Sequence, residues 1–131
     1  MFHITVAKKE DLSWTAKYLG VQSKGITLAC YEDEKITGAV CFDIIDGKGI
    51  LQRLRTQQPE MKEVVAKAAL NFLELHHILE VYTDCEDERA FFRMLGFRET
   101  DARPKGICGK YAAYLNLDGY FTSKEHKKGR D

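Results

Sequence analysis

The residues able to do chemistry fall into three groups. The first centres on Cys85, which follows Asp84 at the start of CEDERAFFRML, and a thiol at a helix N-terminus is a candidate nucleophile. Asp84, Glu86, Asp87 and Glu88 surround it with negative charge, which keeps a thiol protonated, so it reads as inert. A zinc site can be assembled on paper from Cys85, Cys108, His76 and His77. However, neighbouring helical residues point about 100° apart, and no pair has the usual ligand spacing. Small buried thiols and a partly exposed histidine pair at a helix C-terminus account for the same residues. The second group is Tyr82, Asp84, Tyr111 and Tyr114, candidate proton donors and acceptors, although a strand tyrosine usually packs its ring and leaves its hydroxyl at the rim. The third is the basic tail with Lys124, Lys127, Lys128 and Arg130, which reads as a frayed, solvated terminus before it reads as a nucleic-acid arm.

These groups need elements to position them. Met61, Val64, Val65, Ala68, Ala69, Phe72, Leu73 and His76 recur at i, i+3, i+4, the spacing of a long helix with one buried face. Pro59 suits its first position, and Glu60 and Glu63 place negative charge at the positive end of its dipole. Ile78 to Thr83 is β-branched and aromatic, a strand; Asp84 to Leu95 predicts a second helix with Asp84 as N-cap and Gly96 at its stop. Such a unit exposes helix N-termini and a strand's carboxyl end on one edge, where ligands bind in sheets of this type. Upstream, Phe2 to Val6 alternates as a first strand, and Lys9 to Leu19 predicts a modest helix ended by Gly20. Three strand-like runs follow, with turns at Glu32 to Lys35 and at Asp46 to Gly49, the second carrying an Asp-Gly hairpin signal. A last strand, Tyr111 to Leu117, follows a loop from Asp101 to Lys110 that carries Pro104, Gly106 and Gly109 and is expected to be mobile.

Composition sets the outer limits. The chain has 131 residues, 44% of them apolar, enough for one core and too few for two ordinary domains. Residues 1–119 are expected to form that domain, and 120–131 a flexible basic tail. Twenty basic residues balance twenty acidic ones, so no global field draws the chain to nucleic acid or an anionic membrane. The N-terminus lacks a signal-peptide pattern, and no run approaches the roughly 20 apolar residues of a membrane span. A cytoplasmic protein with reduced cysteines is the expectation.

The order β-α-β-β-β-α-β-α-β describes an α/β (α+β) chain with a mixed, mostly antiparallel sheet flanked by helices. With Ala90-Phe91-Phe92-Arg93-Met94-Leu95-Gly96-Phe97 turning into the next strand, and Pro59-Glu60 opening the long helix, the layout from Phe2 to Leu117 resembles the GNAT superfamily of acyl-CoA N-acyltransferases. The resemblance implies acetyl-CoA or another acyl-CoA wedged between the strand ending at Gln57 and the strand ending at Asp84, its pyrophosphate on the N-terminus of the long helix. The implied cofactor contacts are Arg55, Thr56 and Gln57; Lys62, Glu63, Val64, Val65 and Lys67; and Cys85 and Phe92.

Three departures from the family pattern stand out. Glu63, Val65 and Lys67 occupy positions where alternating glycines are expected, Phe92 replaces a tyrosine thought to protonate the departing thiolate, and Cys85 replaces an asparagine. A Glu63 carboxylate about 5 Å from a phosphate costs roughly 1 to 3 kcal/mol per charge pair at an effective dielectric of ~20 to 80, and Lys62, Lys67 and Arg55 offset part of this. What the resemblance implies is therefore acyl transfer to an amine, small or on a protein, with a homodimer allowed by the exposed sheet edges. The alternative is a GNAT-like domain that has lost catalysis and serves as a binding or regulatory module.

Overall fold

The computed structural model describes residues 1–21 and 25–121. Its frame is one sheet of seven strands: β1 (Phe2–Val6), β2 (Ile26–Glu32), β3 (Lys35–Ile45), β4 (Lys48–Thr56), β5 (Glu80–Thr83), β6 (Arg98–Glu99) and β7 (Ala113–Asn116). Their order across the sheet is β1-β2-β3-β4-β5-β7-β6. Each neighbouring pair is antiparallel except β4 and β5. Hairpins explain the meander: Asp33 and Glu34, then Asp46 and Gly47, all have positive φ, the conformation of two-residue turns whose twist matches that of the strands they join. A parallel pair needs a long crossover instead, and helix α2 (Met61–Leu75) supplies it.

Helix α2 lies on one face of the sheet and closes the main core, setting Val65, Ala66, Ala69, Leu70 and Leu73 against Leu28, Cys30, Val40, Phe42 and Leu51. The buried stripe is rotated from the expected one, since Ala66 and Leu70 are inside and Val64 is 40% exposed. Leu73 packs over Gly49, where a Cβ would lie 2.7 Å from Leu73 Cδ1. The helix begins two residues after Pro59, because the Met61 and Lys62 amides donate to Gln58 and Pro59 carbonyls in a tight preceding turn. It stops without glycine. His77 takes φ 62°, its amide donates to Glu74 O, and that of Ile78 donates to Leu73 O at 2.8 Å, the paired bonds of a Schellman motif. That motif uses up Ile78, so β5 starts at Glu80.

Helix α1 (Leu12–Leu19) covers the opposite face after a 3-10 turn (Lys9–Asp11) and ends at Gly20, as its sequence predicts. Leu19 and Tyr18 meet Ala39 and Cys41 there. The expected second helix is shorter than predicted: a 3-10 turn (Glu86–Glu88) leads into α3 (Arg89–Leu95). Asp84 caps neither, since its carboxylate accepts the Cys108 amide at 2.9 Å. The loop from 101 to 110 is thereby fastened to the end of β5. Arg103 adds bonds to the Thr100, Ala102 and Lys110 carbonyls, and Gly106 sits against Ile45 and Ile50. After β7, Tyr120 and Phe121 still pack on the core, with Tyr120 donating to Leu95 O at 2.7 Å. Lys124, Lys127, Lys128 and Arg130 lie outside the described residues. Among the described residues no helix is long and apolar enough to cross a membrane.

Candidate functional site

The parallel ladder between β4 and β5 lasts four residues, from Lys48 opposite Glu80 to Leu51 opposite Thr83. There β5 ends, while β4 runs on to Thr56. Gln52 is an extra residue in β4, because Arg53 opposes Cys41 and Leu51 opposes Phe42; a bulge of this kind bends its strand. The two central strands therefore splay, and β4 beyond Leu51 pairs with β3 on one side only.

Side chains stitch the narrow end of this splay. Thr83 Oγ1 donates to Leu51 O at 3.0 Å and Cys85 Sγ donates to Gln52 O at 2.9 Å. Burial pushes the Cys85 thiol pKa up, and Asp84 adds to the rise, while Arg53 acts the other way through contact with the thiol. Burial, more than the flanking acids named from the sequence, is what raises it, and the thiol serves as a structural hydrogen-bond donor. Tyr111 lies near Cys85. Burial raises its pKa first, and the Arg89 guanidinium stacks 4.7 Å from its ring centroid. Tyr82 and Tyr114 pair with each other, centroids 5.0 Å apart.

At the wide end the N-terminus of α2 faces the 3-10 turn before α3. No side chain caps α2. Lys62 Nζ reaches Glu88 Oε2 at 2.8 Å and lies 5.6 Å from the Phe91 ring centroid, so one ion pair spans the opening from wall to wall. Glu63, expected to compete for the helix amides, is drawn one turn along to Lys67 at 2.6 Å.

The structure therefore brings only part of the sequence-derived set together. Thr56 and Gln57 stand at the end of β4, Lys62, Glu63 and Val64 in the first turn of α2 with Lys67 one turn further on, and Cys85 against Gln52. Val65 and Phe92 are not among them: Val65 is fully buried under the sheet, and Phe92 is 1% exposed, its ring edge-on to Phe97 and Phe91. Each sits on the inner stripe of its helix. Arg55 projects to the other face, bonding Tyr18 O at 3.0 Å and stacking 4.9 Å from the Tyr18 ring centroid. The Tyr18 hydroxyl beneath is buried with no hydrogen-bond partner among the described residues. Of the paper zinc ligands, Cys85 is committed to Gln52, and His76 stacks on Phe72 with Nδ1 2.8 Å from Phe72 O. Two features escaped sequence reasoning, the Gln52 bulge and the Lys62–Glu88 pair. Neither has a local signal, since the bulge depends on strand register and the pair joins residues 26 apart.

In chemical terms the splay offers a one-sided strand edge beside an uncapped helix N-terminus. The edge suits an extended chain carrying amide groups, and the helix end suits an anion.

No family model matches the chain. No curated protein sequence matches it either. Solved structures do. A GNAT-family acetyltransferase from Staphylococcus aureus Mu50 superposes with TM-score 0.69 at 13% identity, over 89% of this chain and 99% of that one. The ribosomal-protein-S18-alanine N-acetyltransferase of Escherichia coli gives 0.70 at 11% identity, over 89% and 94%. PaiA N-acetyltransferase of Thermoplasma acidophilum, solved with coenzyme A, gives 0.66 at 16% identity, over 88% and 99%. With its single parallel pair opening into a splay between two helices, the chain has the GNAT acetyltransferase fold.

Proposed function

We propose that the chain is an acyl-CoA-dependent N-acyltransferase that transfers an acetyl or other acyl group to an amine. The observation that carries this reading is the β4 edge left unpaired after Leu51 beside the uncapped start of α2. The pantetheine arm of CoA is extended and holds two amides, so it can pair with β4 as a short additional strand. Its pyrophosphate then falls at the positive end of α2, with Lys62 as the nearest cation. Glu63 opposes this less than its position implies, because Lys67 neutralises it.

A second reading, a CoA-binding domain without turnover, draws on Phe92, which buries an apolar ring where the family's tyrosine stands. One titration series separates the two. Ligand at 100 times its dissociation constant stabilises a fold by about 2.7 kcal/mol, so CoA should raise the melting temperature by several degrees. Binding accompanied by acetylated product supports the transferase; binding with no product from any amine supports the module. No thermal shift at millimolar CoA contradicts both.

A further inference from the structure

Around the splay the charged groups divide into paired and unpaired sets. Lys62, Lys67 and Arg89 are all matched by carboxylates, Glu88, Glu63, and Glu86 with Glu99. Arg53 and Arg55 are not. Both are exposed, both leave β4 on the face away from α2, and among the described residues neither pairs with a carboxylate. Arg53 NH1 bonds the adjacent Gln52 O at 2.7 Å and the guanidinium also touches the Cys85 thiol, while Arg55 is steadied by the Tyr18 carbonyl and ring; five donors each leave both with N–H groups to spare. Just past the end of β5, the strand next to β4, is Asp84, which accepts the Cys108 amide and pairs with no cation among the described residues. The Arg53 and Asp84 charges both act on Cys85, with opposite sign, so both lie near the same thiol.

Two guanidiniums lacking an acid and a carboxylate lacking a base, at the ends of two neighbouring strands, are complementary to a molecule that carries both charges. Resting on the acyltransferase reading above, we propose that the acceptor is an amine bearing a carboxylate, with the carboxylate held by Arg53 and Arg55 and the amino group directed to Asp84. The pantetheine arm enters from the α2 side, and the acceptor comes from the face where these three residues stand. In the transfer, the amine nitrogen forms the new C–N bond and the thioester C–S bond breaks with its electron pair on sulfur. The proton released by nitrogen ends on that sulfur as CoASH. Arg53 and Arg55 are binding residues here and take no part in the bond changes.

The test uses the full chain, acetyl-CoA, the free L-amino acids and a few dipeptides, each paired with its carboxamide, with product detected by mass spectrometry. CoA binding is measured first by calorimetry. The expected result is acetylation of at least one free acid, with KM at least about tenfold below that of its carboxamide. Arg53→Gln and Arg55→Gln should each raise KM for the acid about tenfold, leaving CoA affinity and the carboxamide KM in place, with Arg53→Lys recovering part of the loss. If CoA binds but carboxamides serve as well as acids, or no acid is acetylated, the acceptor assignment is overturned and the cofactor reading stands. If CoA does not bind, the cofactor reading falls, and the assignment falls with it.

Discussion

The Lys62–Glu88 pair yields the sharpest prediction. The two side chains are 28% and 25% exposed and their charged atoms are 2.8 Å apart, between the exposed pairs worth about 0.2 to 1 kcal/mol and the buried ones that cost about 3 to 5 kcal/mol to break. A net value of about 1 to 2 kcal/mol follows. A pyrophosphate on the start of α2 must take Lys62 from Glu88 and tolerate the Glu88 charge nearby. Glu88→Gln removes both costs, so CoA should bind about 5- to 30-fold more tightly. The free protein should melt lower by about 3 to 8 °C, since a domain of this size loses roughly 3 to 4 °C per kcal/mol. Calorimetry with CoA and thermal melts without it give both numbers on one sample. Lower stability with higher affinity is a combination that simple damage to the fold does not produce. Unchanged or weaker CoA binding would show that Lys62 does not serve the phosphates, and Lys62→Met, which removes the cation itself, should then also leave affinity unaltered.

Three further outcomes follow from the same geometry. Of the four free cysteines only Cys108 is exposed, so a short iodoacetamide pulse at pH 8 should alkylate Cys108 alone; labelling of Cys85 at a similar rate would contradict its buried, protonated state. Tyr18, Tyr31, Tyr82, Tyr111 and Tyr120 are all raised above the usual tyrosine pKa, chiefly by burial. A group whose folded pKa is raised keeps its full contribution below the unfolded value, near 10, and loses it as pH climbs through the folded one. Stability should therefore hold from pH 7 to about 9.5 and fall above about 10, with absorbance at 295 nm rising together with unfolding; tyrosines ionising near 10 in the intact fold would refute it. Gly49→Ala pushes a methyl group to within 2.7 Å of the fully buried Leu73 side chain and should cost about 1 to 3 kcal/mol in urea unfolding. An unchanged midpoint would mean that the contact is loose.

The sequence made the order of elements and the helix-strand-helix core legible, and it missed wherever a distant partner decided the local shape. The period of α2 was plain, but which residues faced inward depended on the helix lying across β2 to β4, which brought Ala66 and Leu70 inside and turned Val64 out. Its stop was hidden because His77 adopts a backbone conformation usually left to glycine. Asp84 has every property of an N-cap and yet spends its carboxylate on Cys108, 24 residues away. Lys62, Glu63 and Cys85 are candidates from their positions along the chain alone. Only the folded arrangement shows that Glu63 answers to Lys67, that Lys62 bridges the opening, and that Phe92 belongs to the core.

The central claim is that β4 past Leu51 is an open strand edge waiting for the extended arm of CoA. A crystal structure of the protein grown with millimolar CoA tests it directly. The account predicts pantetheine amides bonded to the β4 backbone between Arg53 and Thr56, the pyrophosphate at the first turn of α2, and Lys62 released from Glu88. CoA bound elsewhere, or a splay still bridged by Lys62 and Glu88 with no ligand inside, would contradict it.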